Sequence, residues 1–297
     1  MKIATFTLDS QRKVGLVDED SRTVSPYDLA TEQAREGIQH LIELEVSGRA
    51  LPATGEPISL DDVILEAPLP RPRRNVFCVG KNYYDHAHEF SASGFDSSAA
   101  QGAVPKHPIV FSKVPESVNR PGGFIEYDPR VSISLDYEVE LTVIIGKGGR
   151  GISRENAMEH VWGYTIVNDV TARDLQGRYS QWLIGKSQDT FCPMGPIAVT
   201  REEIDLADTR VRTWLNDELR QDSNTGLLIF DVPTIIATIA EGVTLLPGDV
   251  IATGTPAGVG IGFKPPKYMG DGDVVRCEIE GIGVLENTVR QRNAGPG

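Results

Sequence analysis

The stretch SLDYEVELTVIIG, residues 134–146, carries three acidic side chains along an apolar run. Asp136, Glu138 and Glu140 alternate with apolar residues, and a β-strand places every second side chain on the same face. The apolar residues that follow indicate a strand that is at least partly buried. Like charges this close repel one another unless a cation compensates them, and buried carboxylates suit a hard divalent ion such as Mg²⁺, Mn²⁺ or Ca²⁺. The alternative is an edge strand with a solvated acidic face.

A second group of charged residues follows in WGYTIVNDVTARDLQ, residues 162–176. A short β-rich run ends at Asn168 and Asp169, so that Asp169 lies at a strand end, where ligands commonly cluster. If a helix follows, Arg173 shares a face with Asp169. The alternative is that Asp169 caps this helix and Arg173 is its ion-pair partner on the surface.

A third motif, GKNYYDHAHEF at residues 80–90, holds His86 and Glu89 on one face of a helical turn. A carboxylate beside an imidazole orients the ring and increases its basicity, which suits a base that activates water near neutral pH. His88 points elsewhere on the same turn. The small, polar residues of 91–104 predict a mobile segment beside this pair, as a closing lid requires. An exposed His–Glu pair and an ordinary surface loop are the alternatives.

Two further segments carry candidate substrate contacts. Lys186 lies between apolar pairs in IGKSQDTFCPMG, residues 184–195, where a lysine can stabilise a developing enolate. The segment ATGTPAGVG, residues 252–260, is a Gly/Thr turn whose amides and hydroxyls can hold a carboxylate. A solvated loop lysine and a plain strand connection are the alternatives.

Taken together, the motifs resemble the fumarylacetoacetate hydrolase family. The matching segments, in order, are VGKNYYDHAHEF (79–90), PIVFSKVPESV (108–118), LDYEVELTVIIG (135–146), GYTIVNDVTARDLQ (163–176), GKSQDTFCPMGP (185–196) and PGDVIATGTPAGVG (247–260). The resemblance covers residues 70–290. Several spaced motifs in the right order make it specific for the family, but much less specific for the substrate.

The resemblance implies a divalent-metal enzyme with Mg²⁺ or Mn²⁺ as cofactor, a catalytic dyad on a lid, and a homodimer. Asp136 does not match a ligand position in the family pattern and is expected to be structural or to lie behind the ligands. The implied residues are Glu138, Glu140 and Asp169 for the metal; His86, Glu89 and Lys186 for catalysis; and Arg173, Gln176, Thr253, Gly254 and Thr255 for substrate binding.

Composition limits the partners of the chain. Its 297 residues carry a formal net charge of −13, which argues against nucleic acid or an anionic membrane, because both require a basic surface. No apolar run approaches membrane-spanning length, and the N-terminus lacks the apolar region of a signal peptide. The three cysteines, Cys78, Cys192 and Cys277, give no disulfide framework and suit a reducing cytoplasm. A small anionic keto acid is the expected partner.

The order of elements predicts a β-rich α+β fold, a mixed β-sandwich or roll with a small N-terminal α+β domain. Residues 1–18 predict a hairpin with its turn at 10–13, and residues 33–48 predict a helix. Five prolines between positions 52 and 72 predict a linker. We therefore expect an N-terminal domain at 1–70 and a catalytic domain at 71–297. Further strands are predicted at 76–79, 109–113, 135–145, 164–167, 197–200, 211–215, 250–253 and 274–279, and helices at 153–160 and 233–241.

The expected reaction is cleavage of a carbon–carbon bond in an acylpyruvate-type 2,4-diketo acid, giving pyruvate and a carboxylic acid. His86, oriented by Glu89, would deprotonate a water that attacks the distal carbonyl, and the metal and Lys186 would stabilise the departing enolate. Within the same fold, the alternatives are decarboxylation of oxaloacetate and isomerisation or hydration of an unsaturated 2-keto acid. A non-catalytic β-rich module that binds a small acid around a structural metal is the alternative from another class.

Overall fold

The computed structural model describes residues 1–92 and 104–292. Its strands are β1 Lys2–Leu8, β2 Gln11–Asp18, β3 Thr23–Pro26, β4 Ile58–Ser59, β5 Ile64–Glu66, β6 Val76–Gly80, β7 Ile109–Lys113, β8 Val118–Asn119, β9 Phe124–Tyr127, β10 Leu135–Asp136, β11 Val139–Ile145, β12 Val161–Asn168, β13 Thr171–Ala172, β14 Cys192–Thr200, β15 Arg210–Leu215, β16 Glu218–Asn224, β17 Val250–Ala252, β18 Val274–Ile279 and β19 Gly283–Gln291. Its helices are α1 Thr31–Ala34, α2 Gln39–Val46, α3 Tyr84–Ala92, α4 Arg173–Arg178, α5 Leu183–Lys186 and α6 Val232–Ala240. The predicted mobile segment 91–104 lies almost entirely outside the described residues.

A large mixed sheet forms the centre of the described part of the chain. Its strands run in the order β4-β3-β2-β1-β14-β12-β11-β17-β6-β7, with β5 and β8 paired to β1 and β14. A second sheet, in the order β16-β15-β18-β19-β9, packs on one face, where β15 and β18 contact β11 and β12. Helix α2 covers the opposite face with Leu41 and Ile42. Two packed sheets with few helices confirm the predicted β-rich fold.

The acidic stretch is neither one continuous strand nor an edge. Strand β10 pairs with β13, and the chain leaves regular pairing at Tyr137 and Glu138 before β11 begins. Strand β11 lies between β12 and β17, and all seven of its residues are buried. A solvated acidic edge strand is therefore wrong, because a central strand covered on both faces has no access to water. The predicted alternation holds, since Tyr137, Val139 and Leu141 all enter the core between the sheets.

Local details of three predicted elements differ from the structure. The hairpin β1–β2 is confirmed, but its turn is Asp9 and Ser10, at φ +49° and +64°, rather than residues 10–13. The helix predicted at 33–48 is split into α1 and α2. Gly37 separates them at φ +66°, and a Cβ there would lie 2.1 Å from the carbonyl oxygen of Pro68. The helix predicted at 153–160 is only a 3₁₀ turn, Ala157–His160.

Helix α6 confirms the remaining helix prediction. Asp231 is its N-cap, and the carboxylate accepts a hydrogen bond from the Thr234 amide at 2.9 Å.

All three cysteines are free and buried. Among the described residues, no helix has the length and apolarity needed to cross a membrane.

The N-terminal residues share a sheet and a core with the rest of the protein. Strand β1 pairs with β14, and Phe6 and Val24 belong to the same core as β11 and β12. Arg73 forms ion pairs across the proposed boundary with Glu36 at 2.7 Å and with Glu43 at 2.6 Å. A division into domains at residue 70 stays a prediction, which expression of residues 71–297 alone would test.

Candidate active site

Three carboxylates meet where β11 begins and β12 ends. The two strands pair with Val139 opposite Asn168, which brings the preceding Glu138 and the following Asp169 together. Glu140 is the second residue of β11. One carboxylate oxygen from each of the three lies within 4.8 Å of the other two. Their exposed fractions are 4% for Glu138, 1% for Glu140 and 0% for Asp169, so the cluster is cut off from bulk water.

Three buried cations hold this cluster together. Lys186 Nζ donates to Glu138 Oε2 at 2.8 Å and to Asp169 Oδ2 at 2.7 Å. Lys113 Nζ donates to Asp169 Oδ1 at 2.6 Å, and Arg173 Nη2 lies 2.6 Å from Glu138 Oε1. A solvated Lys186 and a surface Arg173 are therefore wrong, since each side chain is only 1% exposed.

The same arrangement separates the acidities of two neighbouring glutamates. Burial disfavours the charged form of Glu138, but Lys186 and Arg173 outweigh that cost and lower its pKa to about 2. Burial raises the pKa of Glu140 well above its usual value, and the charges of Asp169 and Glu138 raise it further. Lys186 stays protonated, because the attraction of Asp169 and Glu138 raises its pKa in spite of burial. Glu140 is therefore the member of the triad whose charge the surrounding cations do not compensate.

The donor set fits a hard divalent ion. Asp136, Glu138 and Asp169 form ion pairs with three buried cations, Lys113, Arg173 and Lys186, whereas the described residues give Glu140 only the hydrogen bond from the Gly254 amide. Each ionised carboxylate has about four lone-pair sites, so oxygens that already accept one hydrogen bond can also ligate. Three oxygens and no nitrogen or sulfur favour Mg²⁺ or Mn²⁺. We infer that Glu138, Glu140 and Asp169 would hold it.

Asp136 belongs to a different part of the site. Its carboxylate accepts hydrogen bonds from the amides of Gly260 at 2.6 Å and Ile261 at 3.0 Å, and from Arg173 Nε at 2.8 Å. It therefore holds Arg173 in place. Arg173 is the first residue of α4, and Asp169 precedes β13, so the prediction that the two share a helical face is wrong. Asp169 is not a helix cap either, because a β-strand follows it.

The predicted dyad lies on α3, with His86 facing the interior. His86 Nδ1 is 3.4 Å from Glu89 Oε2, and the imidazole is only 5% exposed. His86 is also close enough to Glu138 to help lower the pKa of that carboxylate. His88, two residues away, is exposed. An exposed His–Glu pair is therefore wrong, because helix α3 places His86 over the cluster.

A small cavity lies between His86 and two carboxylates of the triad, Glu138 and Glu140. Its volume is about 20 Å³, which is room for about one water molecule. A larger cleft of about 490 Å³ lies beside Arg12 and Tyr27, and its lining includes none of the three carboxylates. The cavity is lined by Val79, Gly80, Lys81, His86, Phe90, Phe111, Glu138, Glu140, Arg173, Gln176, Trp182, Lys186 and Thr255.

The predicted substrate contacts occupy different positions around this cavity. Gln176 lines it and accepts a hydrogen bond from Arg173 Nη1 at 3.0 Å. In the turn 253–255, only Thr255 lines the cavity. The Thr253 hydroxyl donates to the Leu141 carbonyl at 2.8 Å, and the Gly254 amide donates to Glu140 Oε2 at 2.8 Å. Substrate binding by these residues stays a prediction.

Three polar residues of the site carried no assigned role in the sequence. Lys113 lies within the matching segment 108–118. Its position at the end of a predicted strand is the only local sign of a role. Asn82 donates to the carbonyls of Thr253 and Phe230, which fastens the start of α3 to the turn 253–255. Gln221, buried in β16, donates to the Thr255 hydroxyl at 2.9 Å. No local pattern marks Asn82 or Gln221, because their partners are distant in the sequence.

The metal assignment predicts different effects for two carboxylates of the same stretch. Glu140→Gln should weaken Mg²⁺ binding by about 100-fold or more, because a ligand is lost. Asp136→Asn removes the same charge four residues away and should leave Mg²⁺ affinity within about threefold, because Asp136 contacts Arg173 and backbone amides. Titration calorimetry measures both. Unchanged Mg²⁺ affinity in Glu140→Gln would contradict the assignment.

The raised pKa of Glu140 predicts that metal binding depends on pH. Below that pKa the carboxyl is protonated, and a metal ligand must be ionised. Mg²⁺ should therefore displace a proton at low pH, and its affinity should rise with pH and level off above the raised pKa. Calorimetry in two buffers with different ionisation enthalpies measures the protons released. Glu140→Gln is the control and should lose this release. Equal Mg²⁺ affinity throughout the range from about pH 5 to 9 would refute the prediction.

Comparison with known proteins agrees with this geometry. Residues 75–290 match the family model described as fumarylacetoacetate (FAA) hydrolase C-terminal. The chain is 48% identical over 232 residues to oxaloacetate tautomerase YisK of Bacillus subtilis (strain 168), an alignment that covers 78% of this chain and 74% of that protein. It is 43% identical over 249 residues to the mitochondrial oxaloacetate tautomerase FAHD2A of Homo sapiens, with 83% and 76% covered.

A solved structure shows the same likeness over almost the whole chain. Fumarylacetoacetate hydrolase from psychrophilic Exiguobacterium antarcticum is similar with a TM-score of 0.83 and 43% identity, and the match covers 98% of this chain and 100% of that one. The carboxylate triad, the buried cations and the α3 dyad thus lie in a fold and a sequence background that these proteins share. The chain belongs to the fumarylacetoacetate hydrolase family.

Proposed function

We propose that this enzyme interconverts the enol and keto forms of oxaloacetate with the help of a divalent metal. The observation that carries the proposal is that His86 and two carboxylates of the triad, Glu138 and Glu140, line the same small buried cavity. A base and a metal position would then act on the same substrate. The likeness to the oxaloacetate tautomerases YisK and FAHD2A supports this choice among the reactions of the family.

Tautomerisation needs only the movement of a proton. In the keto-to-enol direction, His86 takes a proton from C3 of oxaloacetate, and the electron pair of that C–H bond forms the C2=C3 double bond. The π pair of the carbonyl moves to the 2-keto oxygen, which takes a proton, so that one proton is removed and one is added. No carbon–carbon bond breaks and no water is consumed. Glu89 orients the imidazole for both directions. A divalent ion on Glu138, Glu140 and Asp169 would supply Lewis-acid polarisation of the keto oxygen.

The buried cations of the site suit the charge that develops on the substrate. Lys186 remains protonated in the cluster, so it can stabilise enolate character. Arg173 is held by Asp136 and faces the cavity beside Gln176, where both would bind a substrate carboxylate. The Trp182 ring contacts Phe90 and Phe111 edge to face, and the three rings wall the cavity against water. Because these groups are buried, the low local dielectric constant strengthens each of these electrostatic contacts.

Hydrolytic cleavage of an acylpyruvate is the second candidate. It is supported by the likeness to a fumarylacetoacetate hydrolase and by a cavity with room for about one water beside His86. His86 would deprotonate that water, hydroxide would add to the distal carbonyl, and the carbon–carbon bond would break with its electron pair leaving as the enolate of pyruvate. Protonation of that enolate then gives pyruvate.

Decarboxylation, isomerisation and hydration are the remaining candidate reactions. Decarboxylation of oxaloacetate forms the enolate of pyruvate with loss of CO₂ and needs no attack by water. Isomerisation or hydration of an unsaturated 2-keto acid also passes through an enolate. A non-catalytic binding module loses its support, because the relatives are named for catalysis and the protein is an enzyme of this family.

The dyad prediction compares two histidines of one helix. His86→Asn should lower the rate of conversion of oxaloacetate enol to keto form by about 100-fold or more, the usual contribution of a general base. His88→Asn is the matched control and should keep the parental rate, because His88 is exposed. The decay of enol absorbance with Mg²⁺ present measures both.

Product analysis separates the candidates. Release of pyruvate from an acylpyruvate, lost in His86→Asn, would favour hydrolysis over tautomerisation. Release of CO₂ from oxaloacetate at the parental rate in His86→Asn would favour decarboxylation. Enol decay in His86→Asn as fast as in the parent enzyme would defeat the role of His86.

A homodimer and a reducing cytoplasm complete the proposal. Ile133, Leu183 and Ile184 are 68%, 40% and 49% exposed, and a second copy would cover such apolar side chains. Sedimentation should give about twice the 32.3 kDa of one chain, and a mass of one chain would count against the dimer. Three free, buried cysteines are compatible with a reducing compartment.

A further inference from the structure

The loop at residues 258–262 has the sequence Gly-Val-Gly-Ile-Gly, with glycine at every second position. It contains the 3₁₀ turn Gly260–Gly262, and this turn contacts helix α3. The loop lies beyond the turn 253–255 that was predicted to bind substrate. Its three glycines, Gly258, Gly260 and Gly262, face three different neighbours.

One of these neighbours is the carboxylate of the dyad. The amide of Gly258 donates to Glu89 Oε1 at 3.1 Å and to Glu89 Oε2 at 3.2 Å. Glu89 Oε2 is also the atom that lies 3.4 Å from His86 Nδ1. A single carboxylate thus bridges the imidazole and the loop, and the position of the loop sets the position of the carboxylate.

Gly262 supplies the space that this carboxylate occupies. A Cβ on Gly262 would lie 1.9 Å from Glu89 Oε1, 2.2 Å from Cδ and 2.5 Å from Cγ. All three nearest atoms belong to the Glu89 side chain. Contacts this short are excluded for real carbon atoms, so the glutamate would have to move. Its side chain rotates more easily than the backbone of the loop, so Glu89 would leave its position.

The other two glycines are constrained by backbone and not by the dyad. A Cβ on Gly258 would lie 1.9 Å from the Arg220 carbonyl oxygen, and Gly258 has φ +102°. A Cβ on Gly260 would lie 2.3 Å from the Lys267 carbonyl oxygen. Substitution at either position would distort the loop itself. Gly262 has no such backbone neighbour among its three nearest atoms, and its φ lies outside the left-handed region.

The same loop also holds the second functional part of the site. Gly260 and Ile261 donate their amides to Asp136, which in turn accepts from Arg173 Nε. The loop therefore binds two carboxylates, one that orients the base and one that orients the candidate substrate arginine. A change at Gly262 would act on Glu89 and leave the amide contacts of Asp136 in place.

We propose that Gly262 is a positioning residue for the dyad: its missing side chain leaves the space in which Glu89 bridges the Gly258 amide and His86. This inference rests on the proposed role of His86 as the base. It predicts that a single methyl group, placed at Gly262, impairs catalysis through Glu89 without touching the metal ligands or Arg173.

The first test does not depend on any activity. The amide signal of Gly258 in a ¹H–¹⁵N spectrum reports the hydrogen bond to the Glu89 carboxylate. Gly262→Ala should move this signal toward the position that it takes in Glu89→Ala. In the double variant, Gly262→Ala should add only a small further shift. Gly242→Ala is the matched control, because a Cβ there meets nothing within 4 Å, and it should leave the Gly258 signal unchanged.

The second test is a double-mutant cycle in turnover of oxaloacetate enol. Gly262→Ala alone should lower kcat by about tenfold or more, within the range expected for a misplaced general base. KM should stay within about twofold, because Arg173 and the triad are undisturbed. In a Glu89→Ala background the same substitution should change kcat by less than about twofold, since the clash no longer exists.

The outcomes separate this inference from the proposed function. An unchanged Gly258 signal in Gly262→Ala, or an equal loss of kcat with and without Glu89, would overturn the positioning role of Gly262. An equal loss would mean that the substitution distorts the loop directly. If the parent enzyme does not convert oxaloacetate enol while the Gly258 signal still moves as described, the proposed function fails and the placement of Glu89 stands.

Discussion

The pairing of β11 with β12 is the constraint on which the rest of the site depends. It places three carboxylates within 4.8 Å of one another in the middle of a sheet covered on both faces. Removing such groups from water costs several kcal/mol per ion. Lys113, Lys186 and Arg173 offset that cost for Glu138 and Asp169, whereas the Glu140 carboxylate accepts from the Gly254 amide and keeps a raised pKa. The fold thus keeps a buried carboxyl group whose ionised form a divalent cation would stabilise.

The elements around the sheet serve to hold the partners of these carboxylates. Strand β7 ends at Lys113 and α5 ends at Lys186, so both lysines are last residues of short elements directed at the cluster. Arg173 begins α4 and is fastened by Asp136 to the loop at 258–262. Helix α3 places His86 at the same cavity, and Asn82 fixes the start of that helix to the Thr253 carbonyl. Base, cations and ligands therefore converge from separate parts of the chain.

The loop at 258–262 connects the two halves of this arrangement. Its amides bind Asp136 and Glu89, which themselves orient Arg173 and His86. Glycine is required wherever another backbone or the dyad carboxylate comes too close for a Cβ. The sequence pattern of this segment indicated a strand connection or a substrate-binding turn. In the structure, the part that begins at Gly258 holds protein carboxylates.

The sequence by itself determined the chemistry of the site: alternating acids on an apolar strand, a His–Glu pair one helical turn apart, and ordered motifs that carry the family resemblance. These signals are local, since side-chain spacing follows directly from the backbone period. It also determined the β-rich fold, because period-two runs and turn residues recur along the chain. Helix boundaries such as those around Gly37 were missed, because contact with Pro68, far along the chain, decides them. Only the tertiary structure decided which charges pair and that Asp136 holds Arg173 in place. It also decided that Lys113, Gln221 and Gly262 belong to the site. Their partners lie far away in the sequence, and the energy of a buried charge depends on the groups that folding brings around it.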